Sequence, residues 1–196
     1  MERVFVGLTG ASGAVYGITL VRTLAEAGID VSFSLSASGA KVLRYEMGIE
    51  TDPDAPDLAR LFPGGEERVR FFPRDMVEAP VSSGSHRTDA AVVCPCSMGT
   101  VGAIANGLSD NLIERAADVM LKEGRPLVLV PRETPLSLVH LRNLTKAAEA
   151  GAVILPAAPG FYHGPKTIDD LVRHVVMKIT DRLGLRLDLV RRWGGR

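Results

Sequence analysis

Short, continuous apolar runs recur in this chain at residues 4–8, 31–35, 90–93, 127–130 and 152–155, separated by stretches of helical period. Runs that are continuous rather than alternating suit strands buried on both faces, and helices between them suit parallel pairing through crossovers. The pattern predicts an α/β domain: a flavodoxin- or Rossmann-like three-layer sandwich with a mostly parallel central sheet. A run at 69–72 is either an extra strand or part of an excursion. At 196 residues the chain suits a single domain over 1–196.

The helical stretches carry their own signals. Ala14, Ile18, Val21, Leu24 and Ala25 keep one face, and Gly28 supplies a stop. Leu112, Ile113, Ala116, Ala117, Met120 and Leu121 form a second face, closed by Gly124 and Pro126; a third helix spans about 136–151. Thr167 with Asp170 three residues on marks the start of the last helix, with Ile168, Leu171, Val172, Val175, Ile179 and Leu183 on one face. Residues 48–88, with Pro53, Pro56, Pro63, Pro73, Pro80 and Gly64-Gly65, follow no period.

Charge excludes some partners. Lys plus Arg total 23 and Asp plus Glu total 23, so no net field favours nucleic acid or an anionic membrane. The basic tail (Arg182, Arg186, Arg191, Arg192, Arg196) reads as solvated surface. No apolar run reaches the roughly 20 residues of a membrane span. Met1-Glu2-Arg3 has no net positive charge, which argues against a signal peptide. The two cysteines, Cys94 and Cys96, suit neither a disulfide framework nor a zinc site, and a cytoplasmic chain with small reduced fillers is expected. His86, His140, His163 and His174 lack metal-ligand spacing, and His174 is expected to be exposed.

Polar clusters follow the strands. Thr9-Gly10-Ala11-Ser12-Gly13, Ser36-Ala37-Ser38, the stretch from Cys94 to Thr100, Pro131-Arg132-Glu133 and the stretch from Pro156 to Tyr162 all fall on the edge where open parallel sheets bind ligands. The first loop is neither the dinucleotide G-x-G-x-x-G nor a Walker loop. A glycine turn opening a helix suits an anion, and a ligandless turn fits equally well. Ser97 and Thr100 suit a phosphoryl contact, and a plain N-cap explains Ser97 as well. Lys122 reads as an ion-pair partner of Asp118, Arg132 as a phosphate fork, and Lys178 as a snorkelling or purposeful cation.

The phrases Thr9-Gly-Ala-Ser-Gly13, Cys94-Pro-Cys-Ser97, Asn111-Leu-Ile-Glu-Arg-Ala-Ala-Asp118, Pro126-Leu-Val-Leu-Val-Pro-Arg-Glu133 and the run from Gly151 to His163 together resemble the flavin prenyltransferases of the UbiX family. The resemblance implies a homododecamer with sites between subunits, and metal-independent transfer of the dimethylallyl group of dimethylallyl phosphate to N5 and C6 of reduced FMN. The prenylated FMN would serve a UbiD-type decarboxylase. It implies FMN contacts from Gly10, Ala11, Ser12, Ser36, Ser97, Met98, Gly99, Thr100 and Arg132. Lys122, Arg132, Tyr162, Lys178 and Trp193 would meet the prenyl donor, and Ser12, Glu46, Lys122, Glu133, Tyr162 and Lys178 would form the catalytic set. The tail at about 185–196 would pack at a subunit interface. Three positions depart from the family pattern: Lys178 stands where many relatives have Arg, Val77 where some have an aromatic, and Arg192 where proline is common. Rival readings are an FMN-dependent cysteine decarboxylase, a flavin carrier, and a decarboxylase of aromatic acids acting alone.

Overall fold

The computed structural model describes residues 1–192 and Gly194. Its frame is a parallel six-stranded sheet of β1 (Arg3–Leu8), β2 (Asp30–Leu35), β3 (Val69–Phe71), β4 (Ala90–Cys96), β5 (Leu127–Pro131) and β6 (Val153–Ile154), ordered β3-β2-β1-β4-β5-β6. The run at 69–72 is therefore an edge strand. Without it the order is that of a flavodoxin-like sheet, and with it that of a dinucleotide-binding sheet. The apolar run at 152–155 yields only a two-residue edge strand, whereas the run at 90–93 extends to Cys96 with an irregular register after Val93.

Seven α-helices among the described residues complete the layers: α1 (Ala14–Glu26), α2 (Ala37–Met47), α3 (Leu58–Leu61), α4 (Met98–Ala105), α5 (Leu112–Lys122), α6 (Leu138–Glu149) and α7 (Ile168–Arg182). Two apolar cores result, one on each face of the sheet. Ile18, Val21 and Leu24 of α1 meet Val172, Val175 and Ile179 of α7 over one face. Ile113 and Ala116 of α5, Val101 of α4 and Ala147 of α6 cover the other. Phe5 and Phe33 are fully buried, each worth about 1.5–3 kcal/mol of apolar transfer. No helix among the described residues is long and apolar enough to cross a membrane.

The caps follow the sequence signals. Gly28 adopts φ 81°, a conformation open to glycine at little cost, just past the end of α1. Thr167 and Asp170 form a reciprocal capping box on α7. Ile168, expected on the apolar face of α7, is instead 77% exposed, because it lies in the first turn, ahead of the part of α7 that packs. The helix α2 lacks a strong apolar period, with only Gly39, Ala40 and Leu43 buried. It lies along the carboxyl edge of the sheet, with Ser38 against Gly10 and Glu46 against Gly13.

Candidate functional site

The strands β1 and β4 are neighbours, and their loops leave for opposite faces, one into α1 and the other into α4. That divergence opens a crevice at the carboxyl edge. Thr9 fastens the two loops. Its amide and hydroxyl both donate to the Pro95 carbonyl, at 3.2 and 2.9 Å, and the hydroxyl accepts the Ser97 amide at 2.8 Å. The sequence places Thr9 in the first polar cluster but assigns it no role, since a threonine after a strand carries no special signal.

Around this junction lie backbone donors with no use inside the fold. The amides of Gly10, Ala11, Ser12, Met98 and Gly99 have no hydrogen-bond partner among the described residues. The last two are among the orphan donors of a helix start, where the dipole favours an anion. A Cβ at Gly99 would meet nothing closer than Ser97 Oγ at 3.9 Å, so the helix start is open. A Cβ at Gly10 would come within 2.4 Å of Ser38 Cβ, so that turn and α2 approach as closely as glycine allows.

The hydroxyls are partly engaged. Ser97 caps α4, accepting the Thr100 amide at 3.3 Å, and the two hydroxyls share one hydrogen at 3.0 Å. One hydroxyl hydrogen of the pair remains for a ligand. Ser36 is buried and caps α2 through the Gly39 amide at 3.0 Å. Arg132 leaves the end of β5, and its Nε donates to the Ser12 carbonyl at 3.3 Å, which brings the guanidinium over the β1 loop. Glu133, next along, accepts the Thr134 amide at 3.1 Å. Tyr16 lies under Gly13 close to Arg132; burial raises its phenol above the ordinary range, Cys94 adds to the rise and Arg132 opposes it.

Glu46 also belongs to this edge. Its carboxylate accepts the Gly13 amide at 2.8 and 3.1 Å and the Ala14 amide at 3.0 Å, so it caps α1. The first loop is thus both a tight turn and an anion cradle, with a carboxylate of this chain in part of it.

The remaining site residues lie elsewhere. Tyr162 and Lys178 share a cleft of about 1460 Å³ with His163, His174, Arg191 and Arg192. Tyr162 is 82% exposed and Lys178 is also exposed. His174 is not simply exposed as expected: it is half-buried, accepts a hydrogen bond from the Gly160 amide at 3.1 Å, and stacks on His163. Trp193 lies outside the described residues.

Lys122 ends α5, five residues before β5 begins, and Gly84 lies beside it. It therefore sits at the amino edge of the sheet, a strand length of roughly 17 Å from the cradle. Its partner is Glu123 at 2.6 Å, while Asp118 pairs with Arg115 at 2.9 Å, so the expected Asp118–Lys122 pair does not form. The thiols of Cys94 and Cys96 are free and fully buried, and burial pushes both well above the ordinary thiol range.

Comparison with known proteins adds the following. The flavoprotein family model matches residues 1–180. A flavin prenyltransferase UbiX of Halalkalibacterium halodurans is 49% identical over 189 residues, 96% of this chain and 92% of that protein. The crystal structure of AnUbiX (PadA1) in complex with FMN and dimethylallyl pyrophosphate superposes with a TM-score of 0.90 at 39% identity, covering 100% of this chain and 98% of that one. A dodecameric FMN-dependent UbiX-like decarboxylase from Escherichia coli O157:H7 gives 0.88 at 39% identity, covering 99% and 100%.

Proposed function

The chain belongs to the flavoprotein family, in its UbiX group, and on that premise we propose that it is a flavin prenyltransferase using dimethylallyl phosphate and reduced FMN. The observation behind this reading is the set of unspent amides at Gly10, Ala11, Ser12, Met98 and Gly99, beside the Arg132 guanidinium. Such a set fits a phosphate-bearing flavin: the amides and a helix start take the anion, and Arg132 offers a planar fork. Reduced FMN, when bound, supplies N5 and C6 as the atoms that accept the dimethylallyl group.

The protein's own part is to hold and neutralise. Cleaving the carbon–oxygen bond of the donor releases an anionic phosphate, and Lys122, Arg132 and Lys178 supply cations to it. The Tyr162 hydroxyl donates a hydrogen bond to the same group. Glu133 exchanges a proton with the phosphate, and Ser12 and Glu46 flank it.

The wide separation of Lys122 from the cradle supports a site built by several subunits, because one chain does not bring these groups together. We place the chain in a homododecamer in which Lys122 and the Tyr162–Lys178 cleft serve cradles on neighbouring subunits, with the tail at about 185–196 at an interface. Leu138, Val139 and Leu141, 61, 63 and 47% exposed at the start of α6, offer further apolar surface for that assembly. The product would pass to a UbiD-type decarboxylase in the cytoplasm.

The deciding experiment is the mass of the protein-bound flavin after anaerobic incubation with reduced FMN and dimethylallyl phosphate, with the diphosphate run in parallel. A gain of one prenyl unit supports the transferase. Unmodified FMN with both donors would leave the carrier and oxidant readings.

A further inference from the structure

We propose that His174 is a positioning residue that clamps the turn at 160–163 and thereby fixes Tyr162, and that protonating His174 releases the clamp. The proposal rests on the reading of Tyr162 as a donor-binding residue.

The geometry holds both sides of Tyr162. Two residues before it, the Gly160 amide donates to His174 Nδ1 at 3.1 Å. One residue after it, the His163 ring stacks on the His174 ring, with centroids 5.1 Å apart and planes 1° from parallel. Gly160 also allows the close approach: a Cβ there would lie 3.2 Å from His174 Cε1 and 3.6 Å from the Tyr162 ring. A Cβ there would press on the His174 ring by a few tenths of an ångström, while its contact with the Tyr162 ring would be an ordinary one. One imidazole on α7 thus holds the turn on both sides of this tyrosine, and Lys178 follows one helical turn later on the same face.

The hydrogen bond assigns the tautomer. Nδ1 accepts, so the ring is neutral with its proton on Nε2. A second proton would go to Nδ1, where it abolishes the acceptor and opposes the Gly160 N–H. The surroundings also disfavour that proton. Burial lowers the His174 pKa below 6.5, and His163 and then Lys178 lower it further. Arg191 and Arg192 line the same cleft. Asp181 and Arg182 share a second cleft with His174 and Lys178; of the other nearby acids, Asp170 interacts with His163, and Asp169, Glu26 of α1 and Asp170 act on the neighbouring Arg173. The buried Nε2 of His163 has no hydrogen-bond partner among the described residues. Because the folded pKa lies below the unfolded one, the clamp is whole above pH 6.5 and is lost as pH falls through the folded value.

The test compares wild type, His174→Ala and His174→Asn as whole oligomers, reading kcat/KM for dimethylallyl phosphate across the acid range. Asparagine places an acceptor oxygen near the Nδ1 position and does not titrate. We expect His174→Ala to lose about tenfold at neutral pH, as for a misplaced binding group, and His174→Asn to recover most of it. On acidification the ratio of His174→Asn to wild type should rise; titration of the donor phosphate, near pH 6, cancels in that ratio. A ratio flat with pH, or a His174→Ala rate equal to wild type, overturns the proposal. Hydrogen exchange of the peptide covering 156–166 is read on the same proteins without donor. Faster exchange in His174→Ala, restored in His174→Asn, supports the clamp, and equal exchange in all three overturns it. Should wild type transfer no prenyl group at any pH, the functional reading fails and the exchange result alone decides the clamp.

Discussion

The Glu46 carboxylate holds the Gly13 amide with both oxygens, at 2.8 and 3.1 Å. Glu46 is near the end of α2 and Gly13 at the start of α1, so one side chain closes the edge of the crevice and satisfies donors that α1 cannot satisfy itself. Loss of such a cap costs about 1 kcal/mol. We expect Glu46→Ala to lower the urea midpoint accordingly and Glu46→Gln to lower it less, since the amide oxygen still accepts. Both variants should slow prenyl transfer more than they weaken FMN binding, as flavin titration would show.

Gly17 is required by a backbone contact. A Cβ there would approach the Cys94 carbonyl oxygen to 2.3 Å and Leu8 Cδ1 to 3.0 Å. Alanine gains about 1 kcal/mol of helix propensity, but overpacking against a strand carbonyl costs about 1–3 kcal/mol. The carbonyl cannot rotate away, so the clash wins. Gly17→Ala should unfold at lower denaturant with an unchanged slope; equal or greater stability would contradict this packing.

Among the described residues Arg132 makes one hydrogen bond, from Nε to the Ser12 carbonyl, which leaves its terminal nitrogens without a hydrogen-bond partner there. Arg132→Ala should weaken FMN and the prenyl donor together, by about tenfold or more each. Arg132→Lys should recover less than half of that loss in free energy, because the charge stays and the fork does not. Parallel titrations of flavin and donor decide it.

Lys122 and Tyr162 give a test of assembly. Lys122→Ala and Tyr162→Phe should each retain FMN and lose most of the transfer rate. If these two side chains reach one crevice from different chains, oligomers reassembled from a mixture of both variants will contain some intact sites. Partial recovery of activity on mixing is the expected result. Its absence, with mixed oligomers confirmed by mass, would place both residues on the same subunit's crevice or outside it.

Arg192 ties the tail to α7, donating to both oxygens of Asp181 at 2.7 and 2.8 Å and to Asp188 at 2.5 Å. The Arg192 hydrogen bonds hold the Asp181 carboxyl below its ordinary range, against some desolvation. A depressed carboxylate stabilises the fold above the unfolded pKa of 3.8 and stops doing so as pH falls through the folded value. Asp181→Asn should therefore melt earlier than wild type at neutral pH, and the two should converge in strong acid. A constant gap would mean that the pair stabilises by packing alone.

The sequence made β1, β2, β4 and β5 legible because each is a continuous apolar run, and it located the crevice because polar residues cluster after those runs. It did not disclose α2, whose buried face is only Gly39, Ala40 and Leu43. Nor did it place 48–88, and the reason is physical. Much of that segment is held from outside: Arg22 donates to the Leu61 carbonyl, and Arg125 to the carbonyls of Gly84, His86 and Thr88. Such contacts leave no period. The pairing of His163 with His174 was equally hidden, since it joins a loop to a helix at no characteristic spacing. The family pattern groups Lys122 with Tyr162 and Lys178, whereas in this chain Lys122 lies outside the cleft that the other two share.

Thr9 donates its hydroxyl hydrogen to Pro95 and accepts from Ser97 with the same oxygen. Most buried positions of this chain ask for a volume, and several aliphatic shapes can answer. This one asks for a valence. Valine would fill the space while forfeiting both bonds, and serine would keep both while leaving a methyl-sized gap. Randomising position 9 and selecting for flavin retention should return threonine with serine as a poor second, whereas the same selection at Leu8 should return a spread of aliphatics. Tolerance to substitution would then change abruptly between two adjacent buried residues, at the point where the strand ends and the crevice begins.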